Sequence, residues 1–299
     1  MPTMELSMTD THAADLMFLT HLGKHLGVLG VEYVLVDKDG RGKGKPQMQT
    51  YSGFFIVLDN QWYFVTAGHA LERTDGPLGI KQALDAKVIR ITRAFLADYF
   101  GPDAKPHPFG SDEVWLPTII DLHDVLAQAI FINDDTTGLD FAFLPLRDFY
   151  VASVTKNGVV PLTEDQWQYH GEAMKYVLVG FPDEEKSPSA TDSSSEASVR
   201  PCFARMDRCE LPSHLPKPTL TYFAAKLPDE GPVSPAGFSG SPIFAVDVDA
   251  EANRTYYALI GIDYKWHKSE RVVVGCLMRD VVAAFRKQLA ARGVGSRQP

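Results

Sequence analysis

The sequence predicts an all-β fold, and three observations carry that prediction. Short apolar runs rich in Val, Ile, Tyr and Phe recur along the chain, most of them too short for helices. Clusters of turn-forming residues separate them. Helical periodicity is confined to the two ends. At 299 residues, 45% hydrophobic and 22% charged, there is material for one large domain or two moderate ones.

The first element is a helix over residues 13–27 (AADLMFLTHLGKHLG), with Gly27 as a suitable stop. His21 and His25 lie four apart on it. That spacing suits two metal ligands, but no third ligand follows nearby, so surface or partly packed histidines are expected. From Val28 the texture changes to strands. Val31–Val36 comes first, then Gly53–Leu58 and Gln61–Thr66, joined by Asp59-Asn60 as a hairpin turn. Lys87–Thr92, Ala129–Ile132 and Asp140–Leu146 follow. Later strands are Ala173–Gly180, Thr219–Ala225, Pro242–Val248, Tyr256–Asp263 and Val272–Leu277. Residues 182–198 (PDEEKSPSATDSSSEAS) are poor in apolar side chains and predict a mobile loop. Residues 279–292 (RDVVAAFRKQLAAR) form an amphipathic helix that Gly293 ends.

Composition narrows the partners. A formal net charge of -9 does not suit a phosphate backbone, so no nucleic-acid partner is expected. The basic stretch Lys38–Lys45 (KDGRGKGK) reads as a solvated hairpin loop. Asp10, His12 and Asp15 interrupt the early residues, so no secretory leader is expected. No apolar run approaches the ~20 residues that span a bilayer. The expectation is a soluble, cytoplasmic protein with no membrane partner. Cys202, Cys209 and Cys276 are too few, and odd in number, for a disulfide framework. Cys202 and Cys209 can pair across a turn, though a reducing cytosol would keep them as thiols. Their spacing is no zinc signature.

Three boxes carry chemistry: Thr66-Ala67-Gly68-His69-Ala70, Leu139-Asp140-Phe141-Ala142-Phe143-Leu144 and Gly237-Phe238-Ser239-Gly240-Ser241-Pro242. A serine hydroxyl needs a base within hydrogen-bond reach to become a nucleophile. Imidazole titrates near neutrality and suits that task. A carboxylate then fixes the imidazole tautomer, and backbone N–H groups hold the oxyanion. The boxes supply a histidine, an aspartate and a serine in that chain order. Asp134 and Asp135 compete with Asp140, but Asn133–Gly138 reads better as a turn. A nucleophile elbow of the α/β-hydrolase kind needs a helix after the serine. Here Pro242 and a β-rich run follow.

The boxes resemble those of the chymotrypsin/trypsin-like serine proteases (the PA clan), in a bacterial-type form without disulfides. TAGHA is similar to that family's box around the base, LDFAFLPL to its Asp-led strand, and GFSGSP to its nucleophile loop. Lys175–Pro182 (KYVLVGFP) and Ala258–Trp266 (ALIGIDYKW) are similar to the strands flanking the nucleophile. The resemblance spans roughly residues 30–285. It implies two six-stranded antiparallel β-barrels with the site between them. The expected units are an N-terminal helical extension (1–27), a first barrel (28–155) with His69 and Asp140, a second (156–278) with Ser239, and a C-terminal helix and tail (279–299). The resemblance further implies Ser239 as nucleophile, His69 as general base and Asp140 as orienting carboxylate. The N–H groups of Gly237 and Ser239 would form the oxyanion hole. The implied activity is a serine endopeptidase acting on a protein or peptide substrate, with no cofactor and no metal.

Two departures from the family matter. Phe238 stands where zymogen-activated members carry an Asp that receives a new N-terminus, so activation of that kind is not expected. Ser241 stands where a second glycine is usual. By resemblance Val233 and Ala236 belong to the floor of the primary pocket, and Ile262 and Tyr264 to its wall. No acid lies at the floor, so an apolar or small side chain is expected there. Lys265 and His267 would favour an acidic one if either turned inward. The alternative is a non-catalytic module of the same fold that binds a protein partner through the cleft.

Overall fold

The computed structural model describes residues 3–5, 21–73, 77–98, 117–167, 173, 175–181, 186–190, 195–199, 202–228, 237–249 and 254–293. Strand β1 (Thr3–Glu5) comes first in the chain. Strands β2 (Leu26–Val36), β3 (Gly42–Leu58), β4 (Gln61–Thr66), β5 (Ile89–Asp98), β6 (Thr118–Ile119), β7 (Ile130–Asp134) and β8 (Leu139–Pro145) form one antiparallel sheet. Its order is β6-β5-β2-β3-β4-β8-β7. In the second half, β9 (Lys175–Gly180), β12 (Cys202–Arg208), β13 (Tyr222–Lys226), β14 (Pro242–Asp249), β15 (Arg254–His267) and β16 (Val272–Leu277) run in the order β15-β14-β9-β12-β13-β16. A further ladder from β16 to β15 closes these six into a barrel. In the first half no closing ladder is seen among the described residues. Its end strands β6 and β7 have no ladder between them among the described residues, and β6 spans only two residues.

Local chemistry explains the joints. Asp59 and Asn60 both take positive φ, 51° and 63°, as a two-residue type I′ hairpin requires. The predicted helix over 13–27 lies mostly outside the described residues. Within them, the chain turns at Lys24 and His25, and β2 already begins at Leu26. Gly27 is therefore a strand residue opposite Gly53 rather than a helix stop. β1 pairs with the start of β15 rather than belonging to a helix. Within the expected loop of 182–198, β10 (Lys186–Ala190) pairs antiparallel with β11 (Ser195–Val199), while residues 182–185 and 191–194 lie outside the described residues.

His25 is fully buried rather than at the surface. Its Nδ1 donates to the Val160 carbonyl (2.6 Å), so Nε2 accepts from the Tyr257 hydroxyl (2.9 Å). Burial pushes its pKa down to about 3, which keeps the ring neutral. Cys202 opens β12 (Cys202–Arg208) and Cys209 follows its last residue. Seven residues of extended chain cover roughly 20 Å, so no bond can join them without unravelling the strand. All three cysteines are free thiols.

The central strands are buried on both faces, which is why they read as unbroken apolar runs rather than alternating ones. In β3, β4 and β8, Phe54, Ile56, Val65, Phe141 and Phe143 point to a core shared between the halves. Phe55, Phe64, Ala142 and Leu144 point to the first half's own core. From the second half, Val177, Val179 and Phe244 enter the shared core, while Tyr176, Leu178 and Ile243 fill the barrel. Helix α4 (Met278–Ala291) leaves the barrel and lays Phe285 on Phe143 (ring centroids 4.5 Å) and Tyr63 (5.2 Å). The two halves are thus joined by an apolar core, with the three chemical boxes at its edge.

Candidate active site

β4 delivers the chain to Ala67, and a single 3-10 turn, Gly68–Ala70, carries His69. Asp140 is the second residue of β8 and is buried. Its two carboxylate oxygens both serve His69. Oδ1 accepts from the His69 backbone N–H (2.8 Å) and Oδ2 from Nδ1 (2.5 Å). The ring is therefore fixed in orientation with its Nε2 edge turned away from Asp140. Gly68 makes this approach possible. A Cβ there would collide with the Ile132 carbonyl and sit 2.9 Å from Asp140 Oδ1. Asn133 Nδ2 secures the far side of the turn by donating to the Glu72 carbonyl (2.8 Å). Asp134 serves as a turn residue, accepting from the Thr136 N–H and the Thr137 hydroxyl, each at 2.9 Å.

Ser239 sits in a tight turn closed by Ser241 N–H to Phe238 O (2.7 Å). Gly240 takes φ +90° at the position where a type II turn demands it. The turn is seated against the other half of the molecule. A Cβ on Gly240 would lie 2.5 Å from Ala67 N and 2.8 Å from Ser52 O. The Ser52 hydroxyl donates to the Gly237 carbonyl (2.6 Å), and Thr66 Oγ1 donates to the Ser52 carbonyl (2.7 Å). The structure therefore brings the Ser239 turn against the end of β4, just ahead of His69.

Phe238 is wholly buried in the barrel core with Leu178, Ile243 and Val273. The turn is therefore held by a packed aromatic ring. Phe238→Ala is expected to cost about 3–5 kcal/mol of stability, read from the denaturant midpoint. An unchanged midpoint would contradict that role.

Behind the turn lies Asp263, fully buried on β15. Its carbonyl accepts from Gly240 N–H (2.8 Å), and its N–H donates to the Ser241 carbonyl (2.9 Å). Oδ1 has no hydrogen-bond partner among the described residues. Burial first, and then the Asp140 carboxylate, push its carboxyl well above the usual range, partly offset by a backbone hydrogen bond at Lys265. Beside it, the Cys276 thiol contacts the Asp140 carbonyl (3.8 Å) and is pushed up to about 12, chiefly by burial. It is an inert packing group.

The expected specificity residues divide. Val233 and Ala236 lie outside the described residues. Ile262 is wholly buried in the core between the halves, so its side chain does not line an open pocket. Tyr264 is nearly buried against Leu211 and Val274. Lys265 reaches across to Asp135 (3.0 Å). Ser52 and Asp263 were not among the residues singled out from sequence. Each is a polar residue within or beside an apolar run, at Tyr51-Ser52-Gly53-Phe54 and Ile260-Gly261-Ile262-Asp263, and that was the available signal. Among the described residues no group of three His, Cys, Asp or Glu side chains is placed to hold a metal. No helix among them is long and apolar enough to cross a membrane.

Comparison with solved structures returns proteases. The chain is similar to the protease Anisep from Arthrobacter nicotinovorans (14% identity, 90% of this chain and 96% of that one, TM-score 0.47). It is also similar to the thermostable serine protease AL20 from an extremophilic microorganism (12%, 88% and 98%, TM-score 0.46). A Glu endopeptidase matches at 11% identity over 96% of both chains, with a TM-score of 0.46. No family model and no curated protein matches the chain.

Proposed function

We propose that this protein is a serine endopeptidase that cleaves peptide bonds through an acyl-enzyme, with Ser239, His69 and Asp140 as its catalytic residues. The observation that carries this reading is the pair of hydrogen bonds between Asp140 and His69, with the turn that carries Ser239 seated against the end of β4, just ahead of His69. Asp140 holds the proton on Nδ1, which leaves the Nε2 lone pair as the base. Ser239 Oγ attacks the scissile carbonyl carbon as its proton passes to Nε2. The N–H groups of Gly237 and Ser239 would receive the oxyanion. The imidazolium then gives its proton to the leaving amine, and a water, activated by the same nitrogen, releases the acid. None of these steps needs a metal or organic cofactor.

Within this reading residues 28–155 and 156–278 are the two catalytic halves, the first a barrel-like sheet. Of the expected specificity residues, Val233, Ala236 and Tyr264 stay assigned to the primary pocket, and Ile262 is a core residue. Three free cysteines suit a reducing cytoplasm. The test is turnover of a mixed peptide library by the wild type and by His69→Ala. Cleavage by the wild type that falls at least about a thousandfold in His69→Ala is expected. A tight peptide complex without cleavage, equally strong in both, would instead mean a binding module.

A further inference from the structure

The reaction described above uses three side chains, yet a fourth ionisable group is built into the same corner. We propose that Asp263 is a positioning residue of this site: its buried carboxyl acts in the neutral form, supporting the Ser239 turn and Asp140, and its ionisation disables the site. The inference rests on the proposed serine-protease reading, and it stands on geometry.

Asp263 grips the nucleophile turn by both backbone groups, on the two residues that follow Ser239. The residue is only 2% exposed, and Oδ1 is buried and unpartnered among the described residues. The ionisable groups whose charge it feels or which feel it are Asp140 from β8, Cys276 from β16 and its neighbour Tyr264. Each of these is anionic when ionised, so a negative charge on Asp263 gains nothing from them. A carboxylate here would place a second buried negative charge near Asp140. The neutral acid avoids that cost, and the burial-driven upward shift of its carboxyl agrees. Hydrating an ionised carboxyl at this depth requires β15 to shift at Asp263, where its backbone holds the two residues that follow Ser239. The sign for stability follows. A carboxyl held above its unfolded value favours the fold most below about pH 4, and that advantage is lost as pH rises through the folded value.

The test compares wild type, Asp263→Asn and Asp263→Ala between pH 6 and 10. One readout is the rate of fluorophosphonate labelling at Ser239, with kcat and KM on a cleaved peptide. The other is the ring nitrogen-15 shifts of His69, which need no turnover. Asp263→Ala is expected to lower kcat about tenfold or more with KM within twofold, and Asp263→Asn to recover most of that loss at pH 7. On the alkaline side the wild type should lose labelling rate, with a matching shift of the His69 resonances, and Asp263→Asn should show neither change. Two results would overturn the proposal: Asp263→Asn as impaired as Asp263→Ala at pH 7, or identical alkaline behaviour of wild type and Asp263→Asn. If Ser239 is never labelled, the protease reading fails. The His69 resonances still decide the Asp263 proposal, which stands if the alkaline shift is confined to the wild type and falls if both proteins share it. Should Asp263→Ala not fold, the comparison of wild type with Asp263→Asn is sufficient.

Discussion

Ser239→Ala is expected to lower kcat for a cleaved peptide by about a hundred-thousandfold to a millionfold, with little change in stability. In the proposed mechanism this hydroxyl forms the ester intermediate. Its removal leaves His69, Asp140 and the backbone donors in position, and these alone can orient water only poorly. The side chain is partly exposed, and the turn around it is held by backbone bonds and Phe238. The thermal midpoint should therefore stay within about 2 °C of the wild type. A variant that loses activity by unfolding would show as a lowered midpoint. A variant that keeps more than about a hundredth of the activity would mean that another nucleophile does the work.

Asp140→Asn is expected to lower kcat by about ten-thousandfold, the scale seen when an orienting carboxylate becomes an amide. Asp140 accepts two hydrogen bonds from one residue, the backbone N–H and Nδ1 of His69. An asparagine has one acceptor oxygen and one donor group. If the oxygen keeps the backbone N–H, the amide faces Nδ1 and forces the proton to Nε2. The base then has no lone pair for Ser239. If the amide flips, the backbone N–H of His69 is left buried against a donor, at a cost of about 1–3 kcal/mol. Ring nitrogen-15 shifts of His69 in the variant should report the tautomer with the proton on Nε2. A kcat within about a hundredfold of wild type would argue against this role for Asp140.

The strands that build the site were legible because their sequences state both faces at once. Gln61–Thr66 and Val272–Leu277 occupy the residues that the pattern gives, and Asp59-Asn60 turns as its composition predicts. The three boxes were legible because glycine and small residues around His69 and Ser239 have a steric reason, which the crowding at Gly68 and Gly240 displays. Other features were not. Helices α1 (Ile80–Asp85), α2 (Leu122–Gln128) and α3 (Asp148–Lys156) span six to nine residues, too short for periodicity to separate from a strand or a loop. β12 alternates with Ala204 and Met206 inward and charged residues outward, a weak pattern in a stretch that carries two arginines. Asp263 and Ser52 take their meaning from partners far along the chain: the turn at 240–241 for one, Gly237 and Phe181 for the other. No local pattern encodes such pairings. Closure of the first sheet, which the family resemblance implied, is not seen among the described residues, and closure depends on edge pairing that no single strand states.

Everything proposed for this site turns on Ser239 being a nucleophile activated by His69. Its most direct test is the intact mass and peptide map of the protein after fluorophosphonate treatment at neutral pH. A single adduct per chain, on Ser239, formed in the wild type, absent in Ser239→Ala and strongly slowed in His69→Ala, is the predicted result. An unlabelled wild type, or an adduct that persists in Ser239→Ala, would contradict it.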